Sequence, residues 1–294
     1  MANNHLTDVT FTSLGLTPAL LRGLEDAGFT HCTPIQAGTL PLALAKRDVA
    51  GQAQTGTGKT AAFLLATMHY LLENPVEEGR YGPWAIVLAP TRELALQIHK
   101  DFQLLGKYTG LYGVAVYGGT GYEAQRRELE LGVDIVIGTP GRIIDFYKQG
   151  VLPLNNIEVV VLDEADRMFD LGFISDIRYL LRRMPPAEKR LNMLFSATLS
   201  HRVMELAYEH MNQPEVVRIE PEQVTAEKVR QLLYHVSKDD KMKLLIATLR
   251  QHDPHRTIVF VNTKRGADEV QGYLVGNGFE AEVLSGDIPQ SRRE

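Results

Sequence analysis

The sequence predicts an α/β fold built on a doubly wound parallel sheet, and three observations lead there. Short β-branched runs alternate with longer helix-like segments, as in a parallel sheet covered on both faces. The runs are nearly continuously apolar, which suits strands buried on both sides. A glycine-rich turn, Ala53-Gln54-Thr55-Gly56-Thr57-Gly58-Lys59-Thr60, follows one such run and precedes a helix, an arrangement that receives phosphate.

Taken in chain order, Asp48 to Gly51 reads as the short strand leading into that turn. Trp84 to Ala89, Val114 to Tyr117, Asp134 to Ile137, Val159 to Leu162, Met193 to Phe195 and Val216 to Ile219 read as further strands. Between them, Glu93 to Leu105, Tyr122 to Leu131 and His201 to Met211 read as helices. The first domain is expected to span residues 1–219. Residues 220–230, polar and containing Pro221, read as a linker. A second alternation occupies residues 231–294, with candidate strands at Leu232–Val236, Thr257–Val261 and Glu282–Leu284. So short a unit buries its core poorly, so the chain is expected to be truncated within its second domain.

Composition narrows the class. With 294 residues, 44% hydrophobic and 23% charged, the chain falls in the ordinary globular range, and its length favours about two domains. The most apolar stretch, Ala61 to Leu72, contains Thr67 and His69 and is too short to cross a bilayer, and the polar start is unlike a secretory signal. No membrane association and a cytoplasmic location are the expectations. Cys32 is the only cysteine, which excludes an internal disulfide and a cysteine-based zinc cluster. A net charge of −5 argues against coating nucleic acid by overall attraction, so any RNA site must work by local geometry.

The glycines of the phosphate turn let amide N–H groups and the positive end of the next helix face an anion. Lys59 can reach the β- and γ-phosphates, and Thr60 can ligate Mg²⁺. The general pattern has Gly where this chain has Ala53, and a plain glycine-rich turn before a helix would share most of these letters. Val159-Val160-Val161-Leu162 runs into Asp163-Glu164-Ala165-Asp166. A buried strand ending in carboxylates can place Asp163 near the metal and Glu164 beside the attacking water. An acidic helix start would also explain those letters. The phosphate reading requires the two segments to meet across adjoining strand ends.

At these residues the chain resembles the DEAD-box helicases of superfamily 2. Ala53 to Thr60 is that family's form of the P-loop, and Asp163 to Asp166 supplies its name. Gly28-Phe29-Thr30-His31-Cys32-Thr33-Pro34-Ile35-Gln36 resembles the Q motif, with Phe11 at the usual distance before it. The resemblance implies that Gln36 hydrogen-bonds adenine, that an aromatic ring stacks on the base, and that ATP is preferred over GTP. Phe11, Phe29 and Thr33 join the expected nucleotide site on this ground.

Pro90-Thr91-Arg92, Gly118-Gly119 and Thr139-Pro140-Gly141-Arg142 match the family's RNA-facing segments, where backbone N–H groups, hydroxyls and guanidinium forks hold phosphates. Singly, Gly-Gly and Thr-Pro-Gly-Arg are more often ordinary turns. Ser196-Ala197-Thr198 resembles the segment linking hydrolysis to strand separation, with its hydroxyls bonding Asp166. In the second unit, Asn262, Thr263, Gly286, Asp287, Gln290 and Arg293 match RNA-contacting positions.

The resemblance implies a RecA-like P-loop domain followed by a partial second RecA-like domain, with ATP and Mg²⁺ as cofactors and RNA as partner. Met184-Pro185-Pro186 and Leu191 to Phe195 resemble most the bacterial RhlB branch, which works with RNA-degradosome components such as an endoribonuclease. The implied activity is ATP-dependent RNA duplex separation in RNA decay. The alternatives are a nucleotide- and RNA-binding module without turnover, and a P-loop ATPase that moves DNA or protein.

Overall fold

A computed structural model describes residues 6–75, 82–119, 121–220 and 230–285. Chain packing divides it into two compact units, Met1–Val224 and Thr225–Glu294. The expected linker lies almost wholly outside the described residues.

The first unit opens with helices α1 (Pro18–Asp26) and α2 (Pro34–Leu44), each with proline in its first turn, where a missing N–H costs nothing. Strand β1 (Val49–Gln52) follows, and then α3 (Lys59–Glu73), β2 (Ala85–Leu88) and α4 (Arg92–Leu105). The start of α4 is capped by the Thr91 hydroxyl, which accepts from the Leu94 N–H at 3.3 Å. The alternation continues through β3 (Gly113–Val116), α5 (Tyr122–Glu130), β4 (Ile135–Gly138), α6 (Pro140–Lys148) and β5 (Val159–Leu162). It closes with α7 (Ala165–Asp170), α8 (Ile174–Leu181), β6 (Leu191–Ser196), α9 (His201–His210) and β7 (Glu215–Arg218).

The seven strands form one sheet in the order β3-β4-β2-β5-β6-β1-β7, every pair parallel. Successive residues of the inner strands serve opposite cores. Ala85, Val87, Val159 and Val161 pack on one face with Phe63, Leu64 and Phe195, while Ile86, Leu88, Val160 and Leu162 pack on the other with Phe146, Leu180 and Leu206. This period of two, apolar at both phases, is the signature of a sheet buried on both sides. Each fully buried aliphatic side chain contributes about 1.5–3 kcal/mol, so the sheet is the stable frame on which the loops are mounted.

Strand order corrects one expectation. The phosphate turn leaves β1 and Asp163 leaves β5, but these strands are not neighbours, because β6 stands between them. The turn bridges the gap by crossing the end of β6, where the Ala53 N–H donates to the Ser196 carbonyl at 3.1 Å.

The second unit, taken by itself, contains α10 (Lys241–His252) and α11 (Lys264–Gly276), joined by a small core of Ile246, Val270 and Leu274. The candidate strands at 232–236, 257–261 and 282–284 are not strands among the described residues. A β-branched run becomes a strand only when a neighbour supplies ladder hydrogen bonds and cover. Here Phe260 is 90% exposed and Ile258 79%.

Candidate functional site

The loops at the C-terminal ends of the strands sort by position. Those after β5, β6 and β1, which are side by side, carry Asp163 to Asp166, Ser196 to Thr198 and the phosphate turn. Those after β3, β4 and β2, also side by side, carry Gly118-Gly119, Thr139 to Arg142 and Pro90 to Arg92. The two sets of expected site loops therefore lie side by side at the C-terminal ends of the strands, where ligands meet open α/β sheets.

Over the first set lies a cleft of about 760 Å³. Thr55, Gly56, Gly58, Lys59 and Thr60 line it from the phosphate turn, Asp163 and Glu164 from beyond β5, and Phe29, Thr33 and Gln36 from the segment before α2. Gly56 and Gly58 take φ of +82° and +91°, a conformation that L side chains rarely adopt. Ala53, Gln54 and Thr57 support the turn from outside the lining: Lys59 Nζ donates to the carbonyls of Ala53 and Gln54 at 2.5 and 3.2 Å, and the Thr57 hydroxyl donates to the Gln54 carbonyl at 2.7 Å.

Lys59 and Asp163 are both buried, and their charges are coupled. Burial lowers the Lys59 pKa, opposed by Asp163, Glu164 and Asp166 nearby. Burial also pushes Asp163, only 2% exposed, up to about 7, with Lys59 pulling the other way and Glu164 adding repulsion. Desolvation thus outweighs mutual attraction at both groups. A triphosphate with a divalent cation supplies a counter-charge to each. That donor set, one buried carboxylate with the Thr60 hydroxyl, fits Mg²⁺, which is held by one or two carboxylates plus substrate phosphates.

Glu164 occupies the left-handed region at φ 50°, ψ 51° as it begins α7, a strained state for a residue with a Cβ. Its carboxylate faces Arg167, with Nη1 3.3 Å from Oε2. Asp166 is tied to the end of β6. The Thr198 hydroxyl and N–H donate to its Oδ2 at 2.8 and 3.0 Å, and its own N–H donates to Ser196 Oγ at 3.2 Å. Burial raises the Asp166 pKa, but hydrogen bonds from Thr198, Ser196 and two backbone N–H groups prevail and hold it below the ordinary value.

Phe11 was expected at the nucleotide and is not there. It is 1% exposed, packed in the core with Leu16 and Leu20, because the short helix Phe11–Leu14 turns its ring inward. The Phe11 N–H donates to the Thr30 carbonyl at 3.2 Å, next in the chain to Phe29. Phe29, 43% exposed, is the ring at the cleft.

In the second set, Gly118 and Gly119 are exposed with open space around them, and Thr139, Pro140 and Gly141 begin α6. Pro90 is buried, Thr91 caps α4, and the Arg92 guanidinium lies 4.9 Å from the Tyr117 ring centre. Arg142, expected among the RNA-facing residues, is partly buried. Its side chain is 13% exposed and lies 4.9 Å from the Tyr122 ring centre and 5.7 Å from that of Phe146. The aromatic faces draw the cation inward, leaving the loop backbone outermost.

In the second unit, Asn262 and Thr263 are exposed, and the Thr263 hydroxyl accepts from the Gly266 N–H at 3.0 Å to cap α11. Gly286, Asp287, Gln290 and Arg293 lie outside the described residues. Sequence reasoning missed Arg167 and the α4 residues Gln97, Asp101 and Leu104, which also line the cleft. Arg167 had a readable signal, since positions three apart on a helix face one another. The α4 residues had none.

A family model described as DEAD/DEAH box helicase matches residues 33–206. The chain is 56% identical to the ATP-dependent RNA helicase RhlB of Aeromonas hydrophila, aligned over 100% of this chain and 69% of that protein. It is 58% identical to the ATP-dependent RNA helicase RhlB of Xanthomonas oryzae pv. oryzae, over 100% of this chain and 52% of that protein. Among solved structures, a DEAD box protein from the hyperthermophile Methanococcus jannaschii matches with a TM-score of 0.66 and 32% identity, over 97% of this chain and 75% of that one.

Proposed function

The chain belongs to the DEAD/DEAH box helicase family, and from that premise we propose how its residues divide the work of an ATP-dependent RNA helicase. The observation that carries the assignment is the meeting of the phosphate turn with Asp163 and Glu164 around one cleft.

ATP is the substrate of that cleft. Backbone N–H groups of the turn and the Lys59 ammonium hold its phosphates, Lys59 exchanging the loop carbonyls for phosphate oxygens. Thr60 and Asp163 are the residues that would hold Mg²⁺, which would supply charge neutralisation to the bound phosphates. Glu164 orients the attacking water and accepts its proton. Gln36 and Phe29 receive the adenine.

RNA lies across the second set of loops. Backbone N–H groups at Gly118, Gly119 and Gly141 and the hydroxyls of Thr91 and Thr139 hold phosphates of one strand without reading bases. In the second, partial RecA-like domain, taken by itself, Asn262 and Thr263 are the described residues that would contact RNA, and Gly286, Asp287, Gln290 and Arg293 are assigned to RNA from the sequence. Duplex stacking is worth about 1.4 kcal/mol per step, so a few pairs yield to several kcal/mol of preferential binding to a bent single strand. Asp166, bonded to Thr198, carries the change at the γ-phosphate toward the rest of the molecule. A role in RNA decay in the cytoplasm, with degradosome components such as an endoribonuclease as partners, extends the RhlB resemblance, which 56–58% identity over the whole of this chain supports.

Lys59→Ala tests the assignment. Losing a charge-assisted contact weakens ATP and ADP binding by about tenfold or more, measured by titration with a fluorescent nucleotide. Equal binding by the variant and the wild type overturns the phosphate role.

A further inference from the structure

Gln125 projects from α5 into the interior, 5% exposed, and every polar atom of its amide is engaged. Its Oε1 accepts from the Tyr117 N–H at 3.1 Å and from Arg142 Nη1 at 3.4 Å, and its Nε2 donates to the Tyr117 carbonyl at 3.2 Å. Strand β3 is the edge of the sheet. The Gln125 amide therefore stands where a neighbouring strand's peptide would be, closing both backbone groups of Tyr117 just before Gly118-Gly119. Through Arg142 it also reaches the loop that begins α6, so one side chain joins the two loops.

Burying an amide is costly unless all its hydrogen bonds are made, and an apolar residue would fill the same space without that demand. Exposed loop glycines are free to wander unless something fixes the residues beside them. We propose that Gln125 is a positioning residue for RNA: it holds the Tyr117–Gly119 turn and the Thr139–Arg142 turn at a set spacing, so that their exposed backbone groups face one strand together. This inference rests on the reading of those turns as the RNA surface.

The test uses the whole chain, a fluorescein-labelled single-stranded polyuridine probe at fixed salt, and fluorescent ADP. Gln125→Ala is expected to weaken RNA binding about fivefold or more, the equivalent of one or two hydrogen bonds, with ADP binding unchanged. Gln125→Met, which keeps the volume, is expected to do the same and serves where the alanine variant does not fold. Because Gln125 joins the two turns through its bond with Arg142, combining Gln125→Met with Arg142→Ala is expected to cost less than the sum of the single changes. Gly118→Glu, which places a carboxylate in open space at the loop, is expected to abolish RNA binding. Wild-type RNA affinity in both Gln125 variants beside a dead Gly118→Glu overturns the inference and leaves the RNA surface standing; additive losses in the double variant also overturn it. An unaffected Gly118→Glu, or no RNA binding by the wild-type chain, overturns the RNA surface and the inference with it.

Discussion

Gln36 Nε2 donates to the Gly58 carbonyl at 3.0 Å, so the residue expected to read adenine also braces the phosphate turn. Its Oε1 accepts from the Thr33 N–H at 2.8 Å, leaving one N–H and one lone pair for a base. A Cβ on Gly58 would collide with this amide, so the glycine makes room for it. Gln36→Ala is therefore expected to weaken ATP and GTP binding alike, by about tenfold for two buried hydrogen bonds, besides narrowing the gap between them. Competitive titration with both nucleotides reads this. A narrower gap at unchanged ATP affinity would show that the brace carries no energy.

Glu164 bears the left-handed strain at the start of α7. Glycine at this position relieves a cost of about 1 kcal/mol, so Glu164→Gly is expected to gain stability in urea while losing turnover. Glu164→Gln should lose turnover by a factor of about 10² or more at unchanged ATP affinity and with no gain in stability. Equal stability of the Gly and Gln variants would remove the strain argument, and full turnover in either would remove Glu164 as the base.

The tie between Thr198 and Asp166 has a pH signature. A carboxylate held below its unfolded value of about 3.9 contributes stability above that pH and loses it as pH falls through the lower, folded value. Thr198→Val removes one of the bonds that depress it. Between about pH 5 and 3 the wild type is then expected to lose more stability than the variant, measured by denaturant unfolding. Parallel losses would mean that the hydroxyl does not set the Asp166 pKa.

Asp48 sits at the opposite end of β1 from the phosphate turn. It accepts from the Asn192 N–H and side-chain amide at 2.8 Å each and from the Asn212 N–H at 2.6 Å. Burial pushes its pKa up against these bonds. Asp48→Ala leaves the two buried Asn192 donors and the part-buried Asn212 N–H without this acceptor and is expected to cost about 3 kcal/mol in urea unfolding, with nucleotide affinity intact. A loss below 1 kcal/mol would make the network incidental.

The lining of the cleft was largely legible because its signals are local. A turn that receives phosphate must have glycine at Gly56 and Gly58, whatever surrounds it, and a buried strand ending in Asp163 and Glu164 announces both its depth and its charge. The directions of Phe11 and Arg142 were not legible, for the converse reason. An aromatic ring and a guanidinium are each amphipathic enough to face either way, and only the neighbours Leu16, Tyr122 and Phe146 settle the direction. The second unit shows the same limit, since β-branched runs at 257–261 are identical letters with or without a partner strand.

By itself the sequence determined the chemistry of each loop and the burial of each inner strand, since conformational demand and apolar period are properties of neighbouring residues. Tertiary structure alone decided that β6 separates β1 from β5, that the two sets of site loops lie side by side, and that Gln125 joins two loops. Those facts depend on which strands pair across long stretches of chain, and pairing is chosen by packing between distant segments that no local pattern encodes.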